Sequence, residues 1–280
     1  VTALYAYAIV PASLDATTAP SGIDDGPVVT VRAGDIAALV TPIDEAAYDP
    51  DLVAARSQDL TWLGAHAAAH DRVLTWAADQ ETVIPLPLFS LFRDGDGVRQ
   101  MLARRGAELG QTLRDIGDAR EYTMRVYRLD AQLRVALAAR STQVAELEAR
   151  ASNASPGQRY LLERKLEQTR GEELERVGRE TADEVFAALG RIARATARDP
   201  VASQPAAAGH AVLNAAFLVA AGDVEAFRAA VTQLMERRGP EGFRFEFMGP
   251  WAPYHFVRTH GEGPAAAPST PGMPPREPAQ

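Results

Sequence analysis

The sequence predicts an α+β fold in two domains, and three features predict it. Short apolar runs with strand character and long stretches with helical periodicity succeed one another without the regular β-α-β spacing of a parallel sheet. Hydrophobic residues make up 46% of a 280-residue chain, enough to give two modest domains a core each. After Val257 the composition collapses into Gly, Pro, Ala and Ser, so residues 258–280 read as a disordered tail.

The first domain spans residues 1–119. Leu4 to Val10 is an apolar, tyrosine-bearing run ending at Pro11, which suits a strand buried on both faces. Residues 14–27 hold Pro20, Gly22, Gly26 and Pro27 and read as a loop. Val28–Val31 and Ile36–Val40 form a hairpin turning at Ala33-Gly34-Asp35. Leu60, Leu63, Ala67, His70, Leu74 and Ala77 recur at three- and four-residue steps. They place one face of a helix over 51–79, started by Asp49-Pro50. Thr82 to Phe92 is apolar but carries Pro85 and Pro87, which predicts a short strand followed by an irregular wall. Asp94-Gly95-Asp96-Gly97 is a turn, and Val98–Ile116 a second helix.

The second domain spans 120–257. A strand over Tyr122–Leu129 leads into a helix over Ala131–Arg150, broken at Ser152–Gly157. Ser155 and Pro156 are the cap and first residue of a further helix running to about Arg198. Glu172 with Arg176 and Glu175 with Arg179 have the spacing of pairs on its solvated face. A Pro/Ala-rich loop over 199–209, a strand over Ala211–Ala220 and a helix over Val224–Arg237 capped by Asp223 follow. The turn Gly239–Gly242 then opens a last strand, Phe243–Met248.

Composition excludes several classes of function. The net charge of −8 disfavours a nucleic-acid binder or a protein that rests on an anionic membrane, since both need surplus cations. No apolar run reaches the ~18–20 residues that span a bilayer, and Val1–Val10 carries no leader-like charge, so a cytoplasmic location is expected. With no cysteine there is no disulfide, thiol nucleophile or cysteine-held metal. Lys165 is the sole lysine, and the abundance of Arg and Ala reads as codon bias.

The search for chemistry is negative. His66 and His70 have the i,i+4 spacing of a shared metal, but Ala67 stands where a zinc protease places its glutamate. A packed histidine is the better reading of His70. Asp94-Gly95-Asp96-Gly97 resembles part of a calcium loop and lacks its distal glutamate. Asp24-Asp25 and Asp44-Glu45 read as acidic surface pairs. There is no Gly-x-Ser-x-Gly elbow, phosphate loop or dinucleotide fingerprint. Two proline-stiffened apolar segments remain: 85–92, and 249–257 with its Trp251, Tyr254 and Phe256. A stiff backbone lowers the ordering cost of a contact, and Trp and Tyr anchor interfaces. The same rings suit the closing of a domain core.

Five segments together resemble the gas vesicle GvpF/GvpL family. They are Tyr5-Ala6-Tyr7, His70 with Val73-Leu74, Thr82–Leu86, Ser155–Lys165 and Gly249–Val257. The chain departs from the family pattern around Pro87 and Phe89, where an arginine and a small residue are usual. The resemblance implies two α+β domains, the C-terminal one a modified ferredoxin-like fold with long helices. It implies a non-enzymatic role in gas vesicle assembly without a cofactor. The implied partners are the small hydrophobic shell protein and other accessory vesicle proteins, with no nucleic acid and no membrane. The partner-binding residues expected on this reading are Pro85, Phe89, Phe92, Tyr160, Pro250, Trp251, Tyr254 and Phe256. A metal- or histidine-dependent enzyme built on His70 and a small-molecule sensing module are the alternatives.

Overall fold

The computed structural model describes residues 2–201 and 209–257; the tail expected over 258–280 and most of the loop expected over 199–209 lie outside them. The fold is α+β, with two antiparallel four-stranded sheets, one in each of two compact units. Of the described residues, one unit comprises 2–115 with 252–257, and the other 116–201 with 209–251.

In the first unit, β1 (Thr2–Pro11), β2 (Val29–Ala33), β3 (Ile36–Asp44) and β4 (Ile84–Phe92) pair in the order β2-β3-β1-β4. β1 is central, and Tyr5 to Val10 are fully buried, as the unbroken apolar run requires. β2 and β3 are joined at Gly34-Asp35, with Ala33 paired to Ile36. Gly34 takes φ +62, the left-handed conformation that such a tight hairpin demands. The single helix expected over 51–79 is two: α1 (Pro50–Arg56) and α2 (Leu60–Gln80). Asp59 makes the break, because its carboxylate accepts from Thr61 N and Trp62 N and starts a new helix. α3 (Gly95–Ile116) begins three residues before the expected Val98, with Asp94 Oδ1 accepting from Gly97 N.

β4 runs through both prolines of the segment expected to be a short strand and an irregular wall. It is an edge strand, so Pro85 and Pro87 leave no central ladder bond unmade. Ala8 pairs with Pro85 and Ala6 with Ser90, so residues 86–89 bulge from the ladder. Phe89, at φ 63, lies in that bulge.

The second unit contains β5 (Arg120–Arg128), β6 (Ala195–Arg198), β7 (His210–Val219) and β8 (Phe243–Trp251), in the order β6-β7-β5-β8. Between β5 and β6 run α4 (Asp130–Arg140), α5 (Thr142–Ser152) and α6 (Pro156–Gly190); α7 (Val224–Arg238) joins β7 to β8. The helix expected over 131–150 is split at Ser141, whose hydroxyl accepts from Val144 N. α6 stops at Gly190 rather than near Arg198, and residues 195–198 form the short edge strand β6 instead. Asp223 precedes α7 without making a side-chain capping bond.

The apolar stripe of α6, including Leu174, Val177, Val185 and Leu189, packs with Phe217, Phe227 and Met124. The solvated face carries an i,i+4 pair, but with partners other than the expected Glu172–Arg176 and Glu175–Arg179. Arg176 bonds Glu173 and Glu180, and Glu175 pairs with Arg128 from β5. The Arg128 side chain is only 4% exposed and also meets Asp130 at 2.6 Å.

Candidate functional site

The densest set of polar and aromatic groups in the first unit is built on the inward face of β1. Strand alternation puts Tyr5 and Tyr7 on one side of the sheet, with ring centroids 4.9 Å apart. The periodicity of α2 brings His70 over both rings, at 5.6 and 5.5 Å. The Tyr5 hydroxyl lies 2.8 Å from His70 Nδ1 and accepts from the Phe89 backbone N–H at 3.2 Å. Which of the two groups donates in the Tyr5–His70 bond follows the imidazole tautomer. Among the described residues His70 Nε2 is buried without a hydrogen-bond partner. Burial pushes the His70 pKa down to about 4. Burial likewise pushes the Tyr5 hydroxyl well above its usual range, with the Phe89 bond opposing it.

Tyr7 ties a loop to the sheet. Its hydroxyl donates to Thr41 Oγ1 at 2.9 Å and accepts from Ile23 N at 2.8 Å. Gly22 lies so close that an added Cβ would stand 2.1 Å from the Tyr7 hydroxyl, so only glycine fits there. Tyr48 is the second tie: its hydroxyl donates to Asp24 at 2.8 Å and lies 3.1 Å from His66 Nε2. Burial first, then the Asp24 carboxylate, holds the Tyr48 hydroxyl far above its usual range. His66 Nδ1 faces the Trp62 carbonyl at 2.8 Å. The i,i+4 histidines thus serve two different networks. No group of three or more His, Cys, Asp or Glu side chains suited to a metal ion occurs among the described residues.

The outer edge of this cluster is apolar. Phe89 stacks on Trp62 with centroids 5.4 Å apart and planes within 7°, and it meets Tyr5 edge-on at 6.3 Å. A bulky side chain at positive φ is a strained conformation that neighbouring contacts must hold. The Tyr5 hydroxyl on one side and the Trp62 ring on the other supply them. Phe89 and Trp62 are half-buried. Leu60, two residues before Trp62, is 75% exposed, and Leu52 on α1 is also exposed.

Of the residues expected at a partner surface, Phe89 lies in this cluster, and Tyr254 lies near enough to Tyr5 to help raise its hydroxyl pKa. Pro85 is buried under the sheet ladder, and Phe92 is half-buried at the end of β4. Tyr254 is 39% exposed and Phe256 half-buried; both belong to the first unit. Exposed Pro250 and half-buried Trp251 end β8 in the second unit, where Tyr160 is exposed on α6. The eight residues therefore fall on four elements, β4, α6, β8 and the turn Tyr254–Phe256, in two units. Trp62, Leu60, Tyr48 and His66 were not singled out as partner-binding residues in the sequence. Helical periodicity places Trp62 off the main stripe of α2, and only the bulge in β4 turns Phe89 towards it.

The family model described as "Gas vesicle synthesis protein GvpL/GvpF" matches residues 3–258. The chain belongs to the GvpL/GvpF family. It is 30% identical over 239 residues to gas vesicle protein L of a Streptomyces species, covering 84% of this chain and 85% of that protein. It is 26% identical over 269 residues to gas vesicle protein L1 of Halobacterium salinarum, covering 92% and 91%. The crystal structure of GvpF from an Anabaena species superposes with a TM-score of 0.69 at 19% identity, covering 92% of this chain and 99% of that one. GvpF from Microcystis aeruginosa gives 0.65 at 17% identity with the same coverage. These two structures share the α+β fold with this GvpL/GvpF chain. Among the described residues no helix is long and apolar enough to cross a membrane.

Proposed function

We propose that this protein is a non-enzymatic gas vesicle assembly factor, located in the cytoplasm and at the vesicle, that binds the small hydrophobic shell protein and other vesicle proteins. The observation that carries this reading is the strained Phe89 stacked on Trp62 at the rim of a hydrogen-bonded core, next to exposed Leu60. Backbone strain held in place by a rigid surround is how a contact surface is pre-shaped. An unassembled apolar shell protein aggregates through exposed surface and strand edges. A rigid aromatic surface on an acidic carrier covers such a face without itself precipitating. The Tyr5, Tyr7, Tyr48, His66 and His70 polar atoms, apart from His70 Nε2, are spent on tying the loop and the bulge to the sheet. That use suits a scaffold for a surface.

The family relationship supports the vesicle role, and the strand order β6-β7-β5-β8 with helical crossovers supports reading the domain expected over 120–257, after an N-terminal domain over 1–119, as modified ferredoxin-like up to Trp251, while residues 252–257 group with the first unit. Of the remaining expected residues, Phe92, Pro250, Trp251, Tyr254 and Phe256 are proposed as secondary contacts, Tyr160 as a contact for another vesicle protein, and buried Pro85 as a support of the β4 bulge.

The test is a pull-down of purified shell protein by the full chain, with thermal unfolding measured in parallel. Leu60→Glu combined with Phe89→Ala should weaken capture by about tenfold or more while the fold survives. Trp251→Ala with Tyr254→Ala should weaken it less. Unchanged capture by folded Leu60→Glu/Phe89→Ala protein would remove the surface from the proposal.

A further inference from the structure

The far end of the α5–α6 hairpin has a chemistry unlike the rest of the molecule. Val144, Leu147 and Leu166 form a small core of their own, with Leu162 packed against it, so the tip is held together from inside. Tyr160 and Leu161 take no part in that core and are 64% and 66% exposed. Helical spacing sets Tyr160 beside Arg164 and Leu161 beside Lys165 on the outer face of α6. Arg150, at the end of α5, and Arg159 are exposed in the same stretch.

The cations here are unlike those farther along the hairpin. Arg170 bonds Glu148 and Glu167, Arg134 bonds Glu167, and Arg176 bonds Glu173 and Glu180. At the tip, Arg159 reaches only the Ala154 carbonyl. Arg150, Arg159, Arg164 and Lys165 have no carboxylate partner among the described residues. Residues 149–165 hold these four cations against the single acid Glu163, in a chain whose net charge is −8. Two exposed apolar side chains ringed by unpaired cations form a surface complementary to an acidic amphipathic segment. A second copy of so acidic a chain is repelled over most of its surface.

We infer that the α5–α6 tip is a second docking surface, distinct from the Phe89–Trp62 rim, and that it takes an acidic amphipathic helix from a different protein. Tyr160 and Leu161 receive the apolar face, and Arg159, Arg164 and Lys165 receive the flanking carboxylates. This places two surfaces of different chemistry in the two units, one for an apolar partner and one for an acidic one. It stands independently of which vesicle protein occupies the rim.

The probe is a synthetic amphipathic peptide with leucines in a heptad stripe and glutamates beside them, titrated into the full chain by fluorescence anisotropy. A second peptide carries lysine in place of each glutamate. The acidic peptide should bind, weaken as salt rises, and lose about tenfold or more with Leu161→Glu. Arg164→Glu with Lys165→Glu should reverse the preference in favour of the lysine peptide. Both sites are on the exposed face, so circular dichroism should be unchanged, and capture of shell protein through the rim should persist. Equal binding of the two peptides, or no response to either variant, overturns the inference. So does sedimentation with phosphatidylglycerol vesicles in the absence of peptide binding, or self-association in analytical ultracentrifugation that Leu161→Glu abolishes. Loss of shell capture in the rim variant with tip binding intact would separate the two surfaces.

Discussion

Counted from its own first strand, each sheet runs second, third, first, fourth: β2-β3-β1-β4 in the N-terminal unit and β6-β7-β5-β8 in the C-terminal one. What fills the first crossover differs. In the C-terminal unit three helices stand between β5 and β6, and α6 lays its apolar stripe against the core. In the N-terminal unit residues 12–28 make the crossing with only short 3-10 turns, and Leu14 and Ile23 from this loop enter the core. The buried rings follow the covering. They are Tyr5, Tyr7 and Tyr48 under the loop, and Phe217, Phe227 and Phe243 with Tyr122 under the helices. A helix satisfies its own backbone, so phenylalanine suffices beneath it. A loop brings unpaired N–H groups, and tyrosine hydroxyls answer them, as Tyr7 does for Ile23.

The second difference is charge. The C-terminal unit buries the guanidinium of Arg128, held by Asp130 and Glu175, whereas the N-terminal core is neutral at pH 7. The largest expected effect follows from removing its anions. Asp130→Ala with Glu175→Ala strands the cation and should cost about 3–5 kcal/mol in urea unfolding. A loss as small as that of an exposed ion pair would mean that water reaches Arg128.

His70 gives the N-terminal unit a pH dependence. Its folded pKa of about 4 lies below its ordinary 6.5, so the unfolded chain binds the proton first as pH falls. Its contribution is complete above pH 6.5 and is lost between there and pH 4, by about 3 kcal/mol in all. The measurement is stability against pH for the wild type and His70→Asn. The variant should be less stable at pH 7, and its curve should be flatter across that window. Parallel curves would show that His70 titrates in the folded protein near its ordinary value.

The ring comparison is sharpened by exchanging a hydroxyl in each direction. Tyr7→Phe leaves the Ile23 N–H buried and unpaired and should cost about 1–3 kcal/mol, with faster hydrogen exchange at Ile23. Phe217→Tyr places a hydroxyl in a fully buried site covered by α6 and should cost a similar amount. If Tyr7→Phe is neutral, the loop does not depend on the sheet for its hydrogen bonds.

Much of this organisation is legible in the sequence. The run from Leu4 to Val10 announces the central strand; of the stripe Leu60, Leu63, Ala67, His70, Leu74 and Ala77, the last three form the buried face of α2, Leu63 and Ala67 are half-buried, and Leu60 is exposed. Helix breaks were harder to read. Asp59 and Ser141 interrupt apparently continuous helices because a single side chain captures the N–H groups of a new first turn, and periodicity passes over such a residue unchanged. The short strand β6 was missed because its four residues continue a helix-like composition; its strand identity comes from pairing with β7. The rim is less legible still. Phe89 reaches Trp62 only because residues 86–89 bulge between two paired positions, and a bulge is a property of two strands rather than of one. Ion-pair partners on α6 were misassigned for a related reason. Glu175 is claimed by Arg128 from β5, across 47 residues of sequence.

The smallest expected effect tests how burial divides the arginines. Arg176 bonds Glu173 and Glu180 at 2.7 and 2.6 Å, geometry as short as that of Arg128 with Asp130. Its side chain is 45% exposed, however, so water competes for every one of those bonds. Hydrogen bonding to Arg176 draws the Glu173 carboxyl below its usual range, a direction that implies some attraction but a screened one. Arg176→Gln should therefore change stability by about 0.5 kcal/mol or less, and the change should shrink further in high salt. The Asp130/Glu175 double variant should keep more of its loss in the same salt, because the Arg128 guanidinium is 4% exposed even though Glu175 is 61% exposed. Equal salt sensitivity in the two experiments would mean that bond length rather than burial sets the strength of these pairs.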